Sequence, residues 1–449
     1  MEKSLQKKIF EILIKGYYDN KFEAAVNIIL STWSYPKEEL KNTIAAVCGV
    51  SSSIDHDNFI ASLKEAIAHQ ERNSKIVVKT GVCDDCEADQ AGLRNCEKSC
   101  PFNAISIDPK TGLSYINSDC TDCGLCVDSC DSGNIMDKIE FMPFAKLLRD
   151  NSVVIATVAP AICGQFGEDV SLDMLRTAFK KIGFADMIEV AFFADMLTIK
   201  EATEFNHFVS DKDDLMITSC CCPVWIAMLK KVYKDLIKYV SPSVSPMIAS
   251  GRVLKRIYPG CKVVFVGPCI AKKAEIKEDD LIGDIDYVLT FEELKSIFDA
   301  LNIDPSKLEP TPTTEYASKG GRSYGRTGGV SAAVNDAVEF MFPEKHHLLK
   351  TMQAHGVKEC RSVLKEVQDG KISANFIEGM GCIGGCVGGP KRLIPWDKGT
   401  DLLNEFCDKS KYSVPIESEC MKNILEKINI NSIEDFSSKE KTAIFERDF

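Results

Sequence analysis

No stretch of the chain comes near the roughly eighteen consecutive apolar residues of a membrane-spanning helix, so no membrane association is expected. Positive charge is also short. Lys and Arg number 54 against 66 Asp and Glu, a formal charge of -12. Phosphate contacts need clustered basic side chains, which argues against nucleic acid as a partner. Histidine is scarce, and none of the six has metal-ligand spacing. There is no low-complexity linker. The stretch MEKSLQKKIFEILIKGYYDNK has a short apolar patch broken by charges and no small-residue cleavage site after it, so a cytoplasmic location is expected. With 45% apolar and 27% charged residues the composition is ordinary for a globular protein. Its 449 residues exceed what one core usually supports, so two or three domains are expected. What is abundant is cysteine, twenty in all. In a reducing compartment these are metal ligands before they are disulfides.

Cys120, Cys123, Cys126 and Cys130 in CTDCGLCVDSC form C-x2-C-x2-C-x3-C, the iron–sulfur run of bacterial ferredoxins. Cys83, Cys86, Cys96 and Cys100 form a stretched partner, C-x2-C-x9-C-x3-C-P. Thiolates are soft anionic ligands, and short loops let several converge on one iron cluster. In two-cluster ferredoxins the fourth cysteine of each run crosses to the other cluster. That resemblance implies two 4Fe-4S clusters, one held by Cys83, Cys86, Cys96 and Cys130 and the other by Cys120, Cys123, Cys126 and Cys100. A pair of zinc knuckles would use four ligands each without crossing and fits this pattern less well.

Residues 1–78 read as a helical region, with apolar residues returning at three and four in FEAAVNIIL and FIASLKEAIAHQ. Pro36 in YPKEEL marks a helix start, and Cys48 reads as a buried structural cysteine. Residues 79–140 form the ferredoxin-like module, with a chain reversal in SIDPKTGLSYI. From 141 to 395, β-branched runs of strand length (VVIATVAP, LMITSC, KVVFVGPC, YVLTF, NFIEGMGC) alternate with helical stretches, the pattern of an α/β domain with mostly parallel sheets. Residues 396–449 form a helical extension. Several runs end in cysteine, and ligands bind beyond the carboxyl ends of parallel strands, so Cys222, Cys269 and Cys382 with Cys386 are expected to face one cleft.

Three segments, TSCCCPVW (218–225), GPCIAKKAE (267–275) and EGMGCIGGCVGG (378–389), resemble in order and separation the signatures of the iron-only (FeFe) hydrogenases. The resemblance implies a two-lobed catalytic domain containing an H-cluster, a 4Fe-4S cubane joined through a cysteine sulfur to a two-iron unit with CO, CN and azadithiolate. By motif, Cys222, Cys269, Cys382 and Cys386 would hold the cubane, with Cys386 as the bridge. Lys272 matches the family lysine that bonds a cyanide and offsets buried negative charge, while Lys273 reads as solvated. Met380 resembles the methionine beside the bridging carbonyl. Ala159 and Pro160 match residues of the opposite wall, and Ala161 stands where many relatives have serine. Gly267 replaces a methionine, which implies looser packing there.

Protons are needed as well as electrons. Cys221 falls on the family position whose thiol serves the azadithiolate amine, and Glu201, Ser241 and Glu204 match the next stations. An i,i+3 glutamate pair taken alone would be an ordinary wet helix face. The outermost relay arginine is missing, with Phe208 in its place. Cys220, where serine is commoner, is expected to tune its loop. GGRSYGRTGGVSAAV, residues 320–334, resembles a glycine-rich loop near the cluster but lacks a phosphate-loop lysine. Cys163, Cys261, Cys360, Cys407 and Cys420 read as structural or free. The resemblance therefore implies an enzyme turning over H2 and protons, with a ferredoxin or flavodoxin as electron partner and maturation proteins that supply the two-iron unit. Two other readings stay open: a slow hydrogen sensor, and a hydrogenase-like iron–sulfur assembly protein without the two-iron unit.

Overall fold

The computed structural model describes the chain apart from residues 1, 52–53, 70–74, 84–85, 109, 111–112, 151, 212 and 219–220. Cys220 is thus outside the described residues. Two compact units emerge. One comprises Met1–Ser152, Cys269–Lys277 and Tyr287–Asp304, the other Val153–Pro268, Glu278–Asp286 and Pro305–Phe449.

In the first unit, helix Lys3–Tyr18 buries Leu5, Ile9, Phe10, Leu13 and Ile14, one apolar stripe. Helices Phe22–Thr32, Lys37–Val47 and Phe59–Ala68 follow. Pro36 caps Lys37–Val47, whose first turn carries Glu38 and Glu39 in accord with the helix dipole. Phe141 holds the edges of Phe10 and Phe144, with ring centroids 5.8 and 5.3 Å away. Cys48 is fully buried. In the cysteine-rich module, Val77–Lys79 pairs antiparallel with Ile135–Asp137, and Ile105–Ile107 with Ser114–Ile116. The second pairing encloses the reversal expected in SIDPKTGLSYI, of which residues 109, 111 and 112 are not described.

One expectation in this unit fails. Lys273 is not solvated but completely buried, its Nζ donating to Asp137 Oδ2 and the Lys138 carbonyl, each at 2.7 Å, and to Glu293. Burial alone would lower its pKa, but the Asp137 and Glu293 carboxylates raise it. Both partners are distant in sequence, so the AKKAE segment by itself resembles a surface turn of helix.

In the second unit, strand Val154–Val158 pairs parallel with Asp186–Glu189 and with Lys262–Gly267. Strand Phe376–Met380 pairs parallel with Thr351–His355 and with Met216–Ile217. Nearly every residue of VIATV and KVVFVG is buried, as expected of parallel strands covered on both faces. Helix Val190–Phe208 is buried continuously from Val190 to Phe205, so its Asp195, Lys200, Glu201 and Glu204 lie inside the protein. Gly267 does not loosen the packing, contrary to expectation. A Cβ there would lie 2.7 Å from the Phe265 ring and 3.2 Å from the Ala159 Cβ, so the site is already filled. The C-terminal extension is helical at Trp396–Asp408 and Glu419–Lys427. Among the described residues no helix is long and apolar enough to cross a membrane.

Candidate functional site

In the first unit, Cys83, Cys86, Cys96 and Cys130 line a single cavity of 870 Å3, together with Glu39 and Arg94. The Ser132 hydroxyl sits 3.7 Å from Cys86 Sγ and 3.5 Å from Cys130 Sγ. Burial pushes the Cys96 thiol up to about 11, with the neighbouring Cys130 and Cys83 thiols adding to the shift. Cys100, Cys120, Cys123 and Cys126 make up a second group. Burial pushes Cys120 up to about 11 and Cys123 up to about 12, and Cys100 influences both. Cys96, Cys120 and Cys123 thus resist ionising. A cationic iron cluster would relieve that resistance, since a coordinating thiol is deprotonated by the metal. The donor set therefore fits iron–sulfur groups. Among the described residues no three such side chains converge tightly enough for a single metal ion.

Cys269 begins the segment that joins this unit, and its thiol adds to the electrostatic burden on Cys123. Gly124 has φ +77°, and a Cβ there would lie 2.5 Å from Ile270, so the Cys123 loop lies directly against the residue after Cys269. Ile270 belongs to one apolar cluster with Cys96, Cys126, Cys130 and Val127. Lys272 is nearly buried and pairs with Glu275 at 2.6 Å.

In the second unit, Cys222 caps helix Pro223–Lys231. Trp225, one residue beyond Val224 in the first turn, is 1% exposed and donates from Nε1 to the Thr218 carbonyl at 3.1 Å. Strand Phe376–Met380 is pressed against this ring: a Cβ on Gly379 would lie 2.1 Å from it. The Gly381 amide then donates to Cys222 Sγ at 3.2 Å, and the chain continues into Cys382 and Cys386. Gly385 has φ +91°, and a Cβ on it would meet Met380 Sδ at 2.7 Å. Within the stretch 320–334, the Thr327 amide donates to the Gly384 carbonyl at 3.0 Å, and the Val387 amide to the Gly325 carbonyl at 2.9 Å. Met380 lies in an apolar cluster with Tyr324, Val330 and Phe376, against which Cys221 packs. Ala159 and Pro160 lead from strand Val154–Val158 into a short turn, and Ala161 is buried.

The buried carboxylates lie in this unit. Glu201 is 0% exposed and receives the Thr218 hydroxyl at 2.8 and 2.9 Å from its two oxygens. Burial, reinforced by Glu204, pushes its pKa up to about 8 against the lowering effects of Thr218, Lys200 and Ser241. Ser241 donates to Glu204 Oε2 at 2.7 Å, and Lys200 Nζ donates to Glu204 Oε1. This is no wet helix face. Phe208, by contrast, ends the helix 63% exposed. Lys200 and Ser243, the latter 3.1 Å from Lys200 Nζ and 2.9 Å from Ser241 Oγ, join this network although no sequence motif assigns them a role, and Thr218 joins it from the first position of TSCCCPVW. The signal available for Lys200 is its place four residues before Glu204.

Comparison with known proteins gives the following. Residues 152–390 match the family described as iron only hydrogenase large subunit, C-terminal domain, and residues 82–134 match a 4Fe-4S dicluster domain. The NADP-reducing hydrogenase subunit of Solidesulfovibrio fructosivorans is 28% identical over 344 residues, which is 64% of this chain and 58% of that protein. The chain thus spans little more than half of that relative. Cytosolic iron-sulfur assembly component 3 of Rattus norvegicus is 24% identical over 352 residues, 64% of this chain and 74% of that one. A solved FeFe-hydrogenase structure, concerned with oxygen damage to the 2Fe subcluster, superposes with a TM-score of 0.57 at 21% identity. It covers 68% of this chain and 97% of its own, a likeness of fold.

Proposed function

Because the chain belongs to the iron-only hydrogenase family, we propose that it interconverts protons and electrons with H2 at an H-cluster. By motif, Cys222, Cys269, Cys382 and Cys386 hold its cubane. When bound, that group supplies the iron site for hydrogen chemistry. Two 4Fe-4S clusters, on Cys83, Cys86, Cys96 and Cys130 and on Cys100, Cys120, Cys123 and Cys126, carry electrons. The nearness of Cys123 to Cys269 supports transfer from the second cluster. A ferredoxin or flavodoxin delivers electrons on the side of the first, and maturation proteins install the two-iron unit.

The chain's own residues handle charge and protons. Lys272 would offset the charge of a bound cyanide, while Met380, Ala159 and Pro160 would form apolar wall. The Cys221 thiol holds the innermost proton, since a thiol can give and recover one near neutrality without remaining charged. Glu201, Ser241 and Glu204 pass it outward. With its pKa near 8, Glu201 is poised to exchange a proton at physiological pH.

That buried carboxylate network is the observation on which the proposal rests. The resemblance to an iron-sulfur assembly component favours a second reading, a protein that keeps cubane cysteines and makes no hydrogen. Such a protein has no use for buried acids, whose retention costs stability. The two readings separate in one assay. Anaerobically matured protein in H2O under D2 should release HD; its absence from protein carrying a full complement of iron would favour the assembly reading.

A further inference from the structure

We propose that Lys200, Ser243 and Glu446 form the outer end of the proton path and connect Glu204 to solvent in place of the missing arginine. The inference rests on the hydrogen-turnover reading above and deepens it. At Phe208 the side chain is exposed and has no proton to give. Two helical turns back, Lys200 is 1% exposed and shares a helix face with Glu204. Its Nζ donates to Glu204 Oε1 and, at 3.1 Å, to Ser243 Oγ. The Ser241 hydroxyl donates to Ser243 Oγ at 2.9 Å as its alternative to Glu204, which closes a ring of four polar groups. On the far side, Glu446 Oε1 lies 3.7 Å from Lys200 Nζ, and the Glu446 side chain is 27% exposed. This carboxylate is the network's most exposed acid, the Glu204 side chain being 11% exposed.

Glu446 belongs to the last few residues of the chain, outside the segment that matches the family. Its position is nonetheless fixed on several sides. Ser243 and Glu446 form an antiparallel bridge. The Val244 amide donates to the Phe445 carbonyl and the Arg447 amide to the Pro242 carbonyl, each at 2.8 Å. Arg252 Nη1 donates to the Glu446 carbonyl at 2.6 Å, and the Thr442 hydroxyl to Glu446 Oε1 at 2.9 Å. A structural tail could cover this helix with apolar residues. This one brings an acid to Lys200, the buried partner of Glu204.

The step balances without net charge transfer to Lys200. Glu446 takes a proton from hydronium and leaves water, the Lys200 ammonium gives one of its protons to Glu204 Oε1, and Nζ then takes the proton from Glu446. A small side-chain movement or a single water closes the 3.7 Å gap. Outward transfer runs in reverse.

The test uses full-length matured protein and reads the infrared band of the protonated buried carboxyl, identified by its loss in Glu201→Gln. On transfer into D2O that band shifts as the proton exchanges, whether or not hydrogen is turned over. Glu446→Gln and Lys200→Met should slow this exchange and hydrogen evolution alike by about 10²-fold or more, the lower end of the range for one proton-transfer group. Lys200→Arg keeps the charge but holds its protons far more tightly than an ammonium, so it should restore only part of the exchange rate lost in Lys200→Met. Wild-type exchange in Glu446→Gln, or full rescue by Lys200→Arg, would overturn the proposal. Slowed exchange in protein that never evolves hydrogen would preserve this path and sink the hydrogenase reading instead.

Discussion

Replacing Glu201 by Gln should stabilise the protein while disabling it. In the native state burial holds the Glu201 pKa near 8, against 4.5 for an unperturbed glutamate. The unfolded chain therefore releases its proton first as pH rises. Below pH 4.5 both states are protonated and the acid costs nothing. Between 4.5 and 8 the folded state loses ground by about 1.4 kcal/mol per pH unit, reaching about 3 kcal/mol at pH 7 and about 5 above pH 8. Glutamine has the same shape, cannot ionise and can still accept the Thr218 hydroxyl through its amide oxygen. Relief of about 3 kcal/mol corresponds to roughly 6–12 °C in the melting temperature of a unit this size. Melting of wild type and Glu201→Gln should coincide at pH 4.5 and diverge upward, the variant being the more stable, with hydrogen evolution lost throughout. A constant gap across pH, or a variant less stable than wild type at pH 8, would refute the reasoning.

Three further outcomes are expected. Cys221→Ala should cut hydrogen turnover by about 10²- to 10⁴-fold, the range for a lost proton-transfer group, with the carbonyl and cyanide infrared bands in place; a loss below tenfold would remove Cys221 from the path. Gly379→Ala drives a methyl into the Trp225 ring and should cost about 1–3 kcal/mol or more, seen as a lower melting temperature and lower iron occupancy. Cys130→Ser should remove the cluster assigned to Cys83, Cys86 and Cys96 and leave the other paramagnetic signal intact; loss of the Cys120 cluster would reverse the crossed assignment.

The sequence made the iron–sulfur module and the alternating α/β region legible because both are written locally. Cluster loops need short cysteine spacings, and covered parallel strands need unbroken β-branched runs. The burial of Lys273 is not legible, for the opposite reason. Its partners Asp137 and Glu293 come from elsewhere in the chain, and nothing in AKKAE announces them. Gly267 was misjudged because a missing side chain says nothing of what fills the space, here Phe265. Glu201 and Glu204 could be found by motif, but that they are buried follows from a helix enclosed on every side. Lys200 and Glu446 were invisible: an ion pair across 246 positions has no spacing rule.

The central claim is that this chain carries a two-iron unit with diatomic ligands. The infrared spectrum of anaerobically matured protein tests it most directly, in the region where CO and CN absorb and protein does not. The expected result is a set of CO and CN bands that shift when H2 replaces argon. An empty window in protein whose iron content accounts for three cubane clusters would contradict the claim.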